Sequence, residues 1–432
     1  MRLATGAFVL LLEVVAAQPK ESPDDLYQHV RRRVLDDVSR LPNFTCVQTI
    51  TRRTFATAPK KRPARCGEIL RDRTIEKRKL PLLLWDRLRL DVAIADKHEV
   101  YSWVGASKFE ENELKQFVGG GQSVTGDFAS LLLSVFEDHP LMRFEREERV
   151  GRRILFEYSY ETPIGSSHYQ LKVSFLQFTV AYQGSVLLDP KTSDVVRVTA
   201  RSAPLPEPTG YCEVTRELDY SRLPIGTGDA LIPQRADSSA IDNNGVVMVY
   251  ESDYSSCREY VGESALRFDD PEKSQLPAAS GTTSPVNNFT PFPPGLAFNC
   301  TITTPIDSDT AATGDPFEGV LRTPISDASG KVLAPAGARI HGRLTAFKKY
   351  PASGTSKESF EIGLQLRSIE LGGDRAPFAA TMMDEARSKA GSIRPKVHPG
   401  GGTLIFYEKK VHLANLDSKW ITATSDAAMR AR

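Results

Sequence analysis

The chain has 432 residues, of which 40% are hydrophobic and 25% charged, and its formal net charge is +1. At roughly 150 residues per domain this length suggests two or three domains, and a composition near ordinary globular usage excludes collagen, a coiled coil, wholesale disorder and a multispanning membrane protein. Balanced charge supplies no global field for DNA or RNA, so no nucleic-acid partner is expected.

Residues 1–17 read as a secretory leader: Arg2 gives a positive start, residues 7–12 an apolar run, and Val15, Ala16 and Ala17 a small-residue cleavage site ahead of Gln18. No run approaches the roughly 18 apolar residues of a membrane span, so the mature chain is expected to have none. A periplasmic or secreted location follows.

Ser22, Pro23 and Asp25 make a helix start, and Leu26, Val30, Val34, Val38 and Leu41 recur at helical spacing until Pro42. Strands follow at 44–54 and 87–94, where Leu88, Leu90, Val92 and Ile94 alternate with Arg87, Arg89, Asp91 and Ala93. A turn at Asp96 and Lys97 leads into 98–104, an antiparallel hairpin. The basic stretch Lys60, Lys61, Arg62 and Arg65, continued by Arg71, Arg73, Lys77, Arg78 and Lys79, reads as a solvated loop and hairpin. Its functional alternative is contact with anionic lipid headgroups or glycans.

A second helix is expected over 127–138, capped near Thr125 or Asp127, with Phe128, Leu131, Leu132, Val135 and Phe136 on a wide apolar face. Sheet returns at 154–160, 169–174, 178–182, 184–188, 195–201, 213–220, 231–241 and 246–254, and Asn244-Gly245 marks a tight hairpin between the last two. Six prolines between Pro271 and Pro294 interrupt any ladder and read as a linker. Short strands at 297–303, 317–323, 338–347, 360–371 and 404–411 have the spacing of a small barrel. The last residues show no pattern.

The five cysteines are too scattered for a zinc or C-x-x-C redox site and suit an oxidising compartment. Sequence leaves their pairing open. The expectation is Cys46 with Cys66 and Cys212 with Cys257, each pair within one domain, leaving Cys300 as a buried small hydrophobe.

Residues 121–126 have the G-x-x-x-x-G spacing of a phosphate loop, but Asp127 and Phe128 stand where Lys and Ser or Thr are needed. No G-x-S-x-G elbow occurs, and the seven histidines are isolated. No catalytic residue, metal site or cofactor is therefore assigned, and the protein is expected not to be an enzyme.

The leader, one helix, a long antiparallel meander and a second apolar helix resemble the LolA/LolB-type lipoprotein carriers and their periplasmic relatives. The resemblance rests on the run from Leu88 to Trp103, the helix from Phe128 to Phe136 and the segment from Val186 to Lys191, and it covers about 41–268. It implies an unclosed barrel curved around helices over an apolar cavity. The C-terminal part resembles the small β-barrel of TrbI-type components of type IV secretion systems. It does so through Ile306 to Asp309, Gly314 to Phe317 and Val332 to Gly342, across about 295–412. There Pro335 and Gly337 are read as a turn, and Gly342 as a point of close backbone approach.

The expected fold is thus mainly β with a few helices (α+β): an N-terminal curved antiparallel sheet with packed helices, plus a C-terminal small β-barrel. The division is 1–17 leader, 18–268 curved-sheet domain, 269–294 linker, 295–415 barrel and 416–432 tail. The expected function is an exported envelope protein that binds an apolar ligand, a lipid or a lipid-modified partner through Phe128, Leu131, Leu132, Val135 and Phe136. The alternatives are a structural or assembly component contacting envelope proteins, and a secreted hydrolase of unrecognised type.

Overall fold

The computed structural model describes residues 22–56, 65–75, 80–95, 98–106, 109, 117, 127–138, 142–173, 176–202, 204–260, 291–387 and 393–424. The leader, most of the basic stretch, the G-x-x-x-x-G segment and most of the proline-rich segment lie outside these residues. The chain is mainly β, with few helices among the described residues. None of them is long and apolar enough to cross a membrane.

Helix α1 (Pro23–Ser39) begins where Ser22 accepts the Asp25 backbone N–H, and Leu26, Val30, Val34 and Val38 form its buried stripe. The partner of that stripe is the apolar face of an antiparallel sheet. Its strands are β1 (Phe44–Phe55), β2 (Leu82–Ala95), β3 (His98–Trp103), β4 (Arg143–Val150), β5 (Arg153–Thr162), β8 (Tyr182–Asp189), β9 (Asp194–Ser202), β10 (Tyr211–Ile225), β11 (Gly228–Asp242) and β12 (Val247–Glu259). A separate hairpin, β6 (Gln170–Val173) and β7 (Leu176–Thr179), interrupts the run. The spatial order is β3-β2-β1-β12-β11-β10-β9-β8-β5-β4. No pairing joins β3 to β4 among the described residues, so the sheet is unclosed. Both expected strand pairings are present, β2–β3 with Leu90 opposite Trp103 and β11–β12 with Ile241 opposite Val247, while the turn expected at Asp96 and Lys97 lies outside the described residues. Edge strand β4 alternates arginine and glutamate at Arg143, Glu145, Arg146, Glu147, Glu148 and Arg149, which discourages pairing with another chain.

The disulfide expectation is corrected: Cys46 bonds Cys257, and Cys66 bonds Cys212. The first bond follows from β1 pairing with β12, a contact between the two ends of the meander. The register skips between Thr45/Arg258 and Val47/Ser255, so two residues of β12 oppose Cys46 alone. Ser256 takes a φ of 53° in this bulge. The second bond pins α2 (Cys66–Ile75) to β10. Over 66–75 the basic stretch is helix α2 and not the expected loop and hairpin, with Ile69 buried together with Cys212, Ile241 and Val247. Cys300 is buried and free as expected, and burial pushes its thiol up to about 12.

The C-terminal strands pair in the order β22-β23-β19-β18-β15-β13-β25-β21, where β13 is Ala297–Ile302, β15 Pro316–Leu321, β18 Arg339–Tyr350, β19 Ser359–Leu371, β21 Ala380–Arg387, β22 Ile393–His398, β23 Gly401–Phe406 and β25 Leu416–Thr422. β20 (Asp374–Pro377) adds to β19. Short pairs β14 (Ile306–Asp307) with β24 (His412–Leu413) and β16 (Ile325–Ser326) with β17 (Val332–Ala334) complete the set. The expectation of a tail from 416 is corrected. β25 pairs on one side with β13 and on the other with β21, and Trp420 is fully buried. Gly337 turns with a φ of 89°, and a Cβ on Gly342 would lie 2.2 Å from the Phe317 ring, as the sequence suggests for both.

Two hydrophobic cores are separate, yet the chain joins them along β2. Beyond the reach of β3, Trp85 and Asp86 pair with Lys349 and Lys348 of β18. Arg89 N–H donates to Thr313 O and Thr313 N–H to Arg87 O, both at 2.8 Å. Gly314 has a φ of 101° and packs so closely on Arg89 O and Trp103 that no side chain fits there.

Candidate ligand site

Helix α3 (Ser130–Glu137) packs with α1 in one core with the apolar face of the sheet. Five of its eight residues are apolar, and eight residues are too few for a helix to persist alone. Packing therefore supplies its order. Phe128, Leu131, Leu132, Val135 and Phe136, the residues expected to meet an apolar ligand, are brought together in one core cluster and are all at most 2% exposed. They touch protein: Phe128 meets Phe44 and Tyr254 edge-on at 5.6 and 4.9 Å, and Phe136 stacks on Tyr27.

Polar contacts pin the segment at both ends. Asp127 does not cap the helix, which has no side-chain cap at Ala129. Its carboxylate pairs with Arg216 and accepts the Tyr254 hydroxyl, and its carbonyl accepts the Tyr220 hydroxyl at 3.0 Å. Gln48 Nε2 donates to Tyr254 Oη at 3.0 Å and to Ser252 Oγ. With its lone pair so occupied, Tyr254 turns its own proton toward Asp127. Gln48 Oε1, buried beside this group, has no hydrogen-bond partner among the described residues. Glu99 accepts the Tyr101 hydroxyl and the Phe128 N–H nearby.

At the other end, Asp138 is wholly buried. It accepts the Tyr182 hydroxyl at 2.9 Å and binds His168 through both the backbone N–H and the ring Nδ1, the latter at 2.5 Å. That hydrogen bond, with the carboxylate charge, raises the His168 pKa above its ordinary value. Arg31 of α1 donates to Phe136 O at 2.8 Å, completing the helix C-terminus. Ser167 donates to Val180 O, so no nucleophile faces His168 from that side chain. The Asp138–His168 pair thus reads as a tether.

The electrostatics of the inner group follow from burial. Desolvation works against the charge of Arg216, but Asp127 outweighs it and the guanidinium pKa is raised. Burial first, then the Asp127 carboxylate, pushes the hydroxyls of Tyr220 and Tyr254 up, so both remain donors. Sequence reading missed this group, although a signal was present. Arg216 occupies the inward register of β10 between Val214 and Leu218, where the pattern demands an apolar side chain.

A groove of about 490 Å3 runs over β8 to β12, and its lining includes Gln183, Thr199, Arg201, Arg216, Glu217 and Asp237. No group of three or more His, Cys, Asp or Glu is disposed to hold a metal among the described residues.

The chain matches no sequence-family profile and no curated protein. Among solved structures it is similar to a LolA superfamily protein from Nitrosomonas europaea, at 11% identity over 54% of this chain and 93% of that one, with a TM-score of 0.24. It is also similar to a DUF1329 family protein from Desulfovibrio piger, at 12% identity over 56% and 94%, TM-score 0.27. A third is a putative outer membrane lipoprotein-sorting protein domain from Vibrio parahaemolyticus, at 10% identity over 55% and 93%, TM-score 0.27.

Proposed function

We propose that the protein is an exported, non-enzymatic envelope protein that binds an apolar ligand, a lipid or a lipid-modified partner in the concavity of its N-terminal sheet. In the closed state, residues 127–138 occupy the ligand's place. The observation that supports this most is the construction of α3: a short apolar helix, held to the sheet and α1 through polar contacts at its two ends. Exchanging its side chains for a ligand's acyl chains keeps the apolar burial roughly constant. The leader-like residues 1–17 and the two disulfides support a periplasmic or secreted location.

Native mass spectrometry after mild extraction tests the reading, together with titration of the neutral dye N-phenyl-1-naphthylamine. A copurifying lipid, or saturable dye uptake displaced by lipid, is the expected result. Absence of both, with stable copurifying proteins instead, would assign the scaffold role. The near-complete burial of α3 favours that second reading, since a filled concavity is what a scaffold would have.

The finer C-terminal reading, a small TrbI-like β-barrel with a linker at 269–294, is also a proposal. It is supported by the Gly337 turn, the Gly342–Phe317 approach and a core separate from the N-terminal one. Limited proteolysis between Pro271 and Pro294 should give two folded parts that stay associated through β2 and β18.

A further inference from the structure

Arg216 is fully buried inside the concavity, and the groups around Asp127 are donors: the Arg216 guanidinium and the Tyr254 hydroxyl to its carboxylate, the Tyr220 hydroxyl to its carbonyl. Tyr169, also buried, lies against Arg216. An arginine placed here is costly unless an anion meets it. In the closed protein that anion belongs to the very segment that must leave if a ligand is to enter. Displacing 127–138 without replacing its carboxylate would take from Arg216 the anion it pairs with, at a cost that opposes opening, while Glu99 stays on β3 bonded to Tyr101.

We propose that Arg216 is the anion-recognition residue of the concavity, and that its ligand is an amphiphile with an anionic head, carboxylate or phosphate, whose charge replaces that of Asp127. This rests on the carrier reading above and adds the ligand class to it. Asp127 is then an internal stand-in for the head, as α3 is for the acyl chains. The arrangement makes opening selective, because a neutral amphiphile fills the apolar space and supplies no charge in place of the Asp127 carboxylate. Gln48 Oε1, the buried acceptor without a donor, lies next to the same site. A hydroxyl adjoining the anion, as in a phosphate monoester, would satisfy it.

The test uses the full mature chain and four probes of equal chain length: laurate, dodecyl phosphate, 1-dodecanol and dodecyltrimethylammonium. Each is titrated against bound N-phenyl-1-naphthylamine below its micelle concentration. The two anions should displace the dye at about tenfold lower concentration than the alcohol or the cation, the factor expected of a charge-assisted hydrogen bond. Dodecyl phosphate acting below laurate would point to a phospholipid-type head, and the reverse order to a fatty acid.

The paired variant Asp127→Asn with Arg216→Met removes both charges together and leaves no lone buried ion. It should bind dodecanol more tightly than the unaltered protein, since no ion pair has to break on opening, and it should lose the preference for anions. Asp127→Asn alone should strengthen binding of all four probes by a similar factor and keep the preference, since it eases opening without touching recognition. Equal displacement by all four probes in the unaltered protein overturns the proposal and leaves the carrier reading standing. A preference that survives in the paired variant also overturns it. Failure of every probe to displace or replace the dye removes the carrier reading itself.

Discussion

Arg89 and Asp315, 226 positions apart in the chain, are joined at 2.5 Å by a salt bridge between the N-terminal sheet and the C-terminal strands. Arg89 also donates to Thr310 O and Thr49 Oγ1, and Arg87 beside it donates to Asp309 O and Ala311 O. The two arginines therefore hold residues 309–315 along the part of β2 that β3 leaves uncovered.

Asp315→Ala should loosen this contact without unfolding either core. Arg89 keeps its other acceptors, so the loss should be about 1–2 kcal/mol. Hydrogen exchange at the Thr313 amide should speed up while β1–β2 amides stay protected. Unchanged exchange at Thr313 would show that the backbone ladder alone holds the two parts together.

Non-reducing peptide mapping should recover Cys46 with Cys257 and Cys66 with Cys212. With separations of 211 and 146 residues, each bond closes a long loop. The chain-entropy relation then assigns each about 5 kcal/mol, with measured effects commonly smaller. Replacing Cys46 and Cys257 together by alanine should lower stability and free the end of β12 first. Recovery of a Cys46–Cys66 peptide would contradict the β1–β12 register.

The Asp138–His168 tether should weaken as pH rises. The folded pKa of His168 is raised, so its contribution is complete below the unfolded histidine value near 6.5 and is lost as pH climbs through the higher folded value. A ring-proton NMR titration should place the His168 midpoint above the ordinary histidine value near 6.5. His168→Ala should remove the pH dependence of the protection factors at the α3 amides across this interval, once the intrinsic base-catalysed rate is divided out. A midpoint below the ordinary value would mean that the pair is absent in solution.

A chain ending at residue 415 should lose the C-terminal β-structure, whereas one ending at 424 should keep it. The shorter chain removes β25 from between β13 and β21 and takes away the wholly buried Trp420. Trp420→Ala in the full chain should cost about 3–5 kcal/mol, as for large buried aromatics elsewhere. Denaturant unfolding followed by circular dichroism reads both effects, and a stable 415-residue chain would refute the central placement of β25.

What the sequence alone determined is local. The 3.6-residue stripe of α1, the period-two alternation through β2, β10 and β11, the Asn244-Gly245 turn and the apolar face of α3 each express a relationship among neighbours along the chain. Gly342 and the Pro335-to-Gly337 turn were legible for the same reason, since backbone geometry limits which residues fit. Tertiary structure decided everything that depends on which distant segments meet. Cys46 found Cys257 because β1 pairs with β12, and Ile69 of α2 is buried because β10 and β11 offered it a surface. A featureless C-terminus became β25 because two strands lacked a neighbour. Asp127 looked like a helix cap until Arg216, 89 positions away, claimed its carboxylate. A buried arginine fixes no particular partner by itself; which anion answers it is settled by the fold that brings the two together.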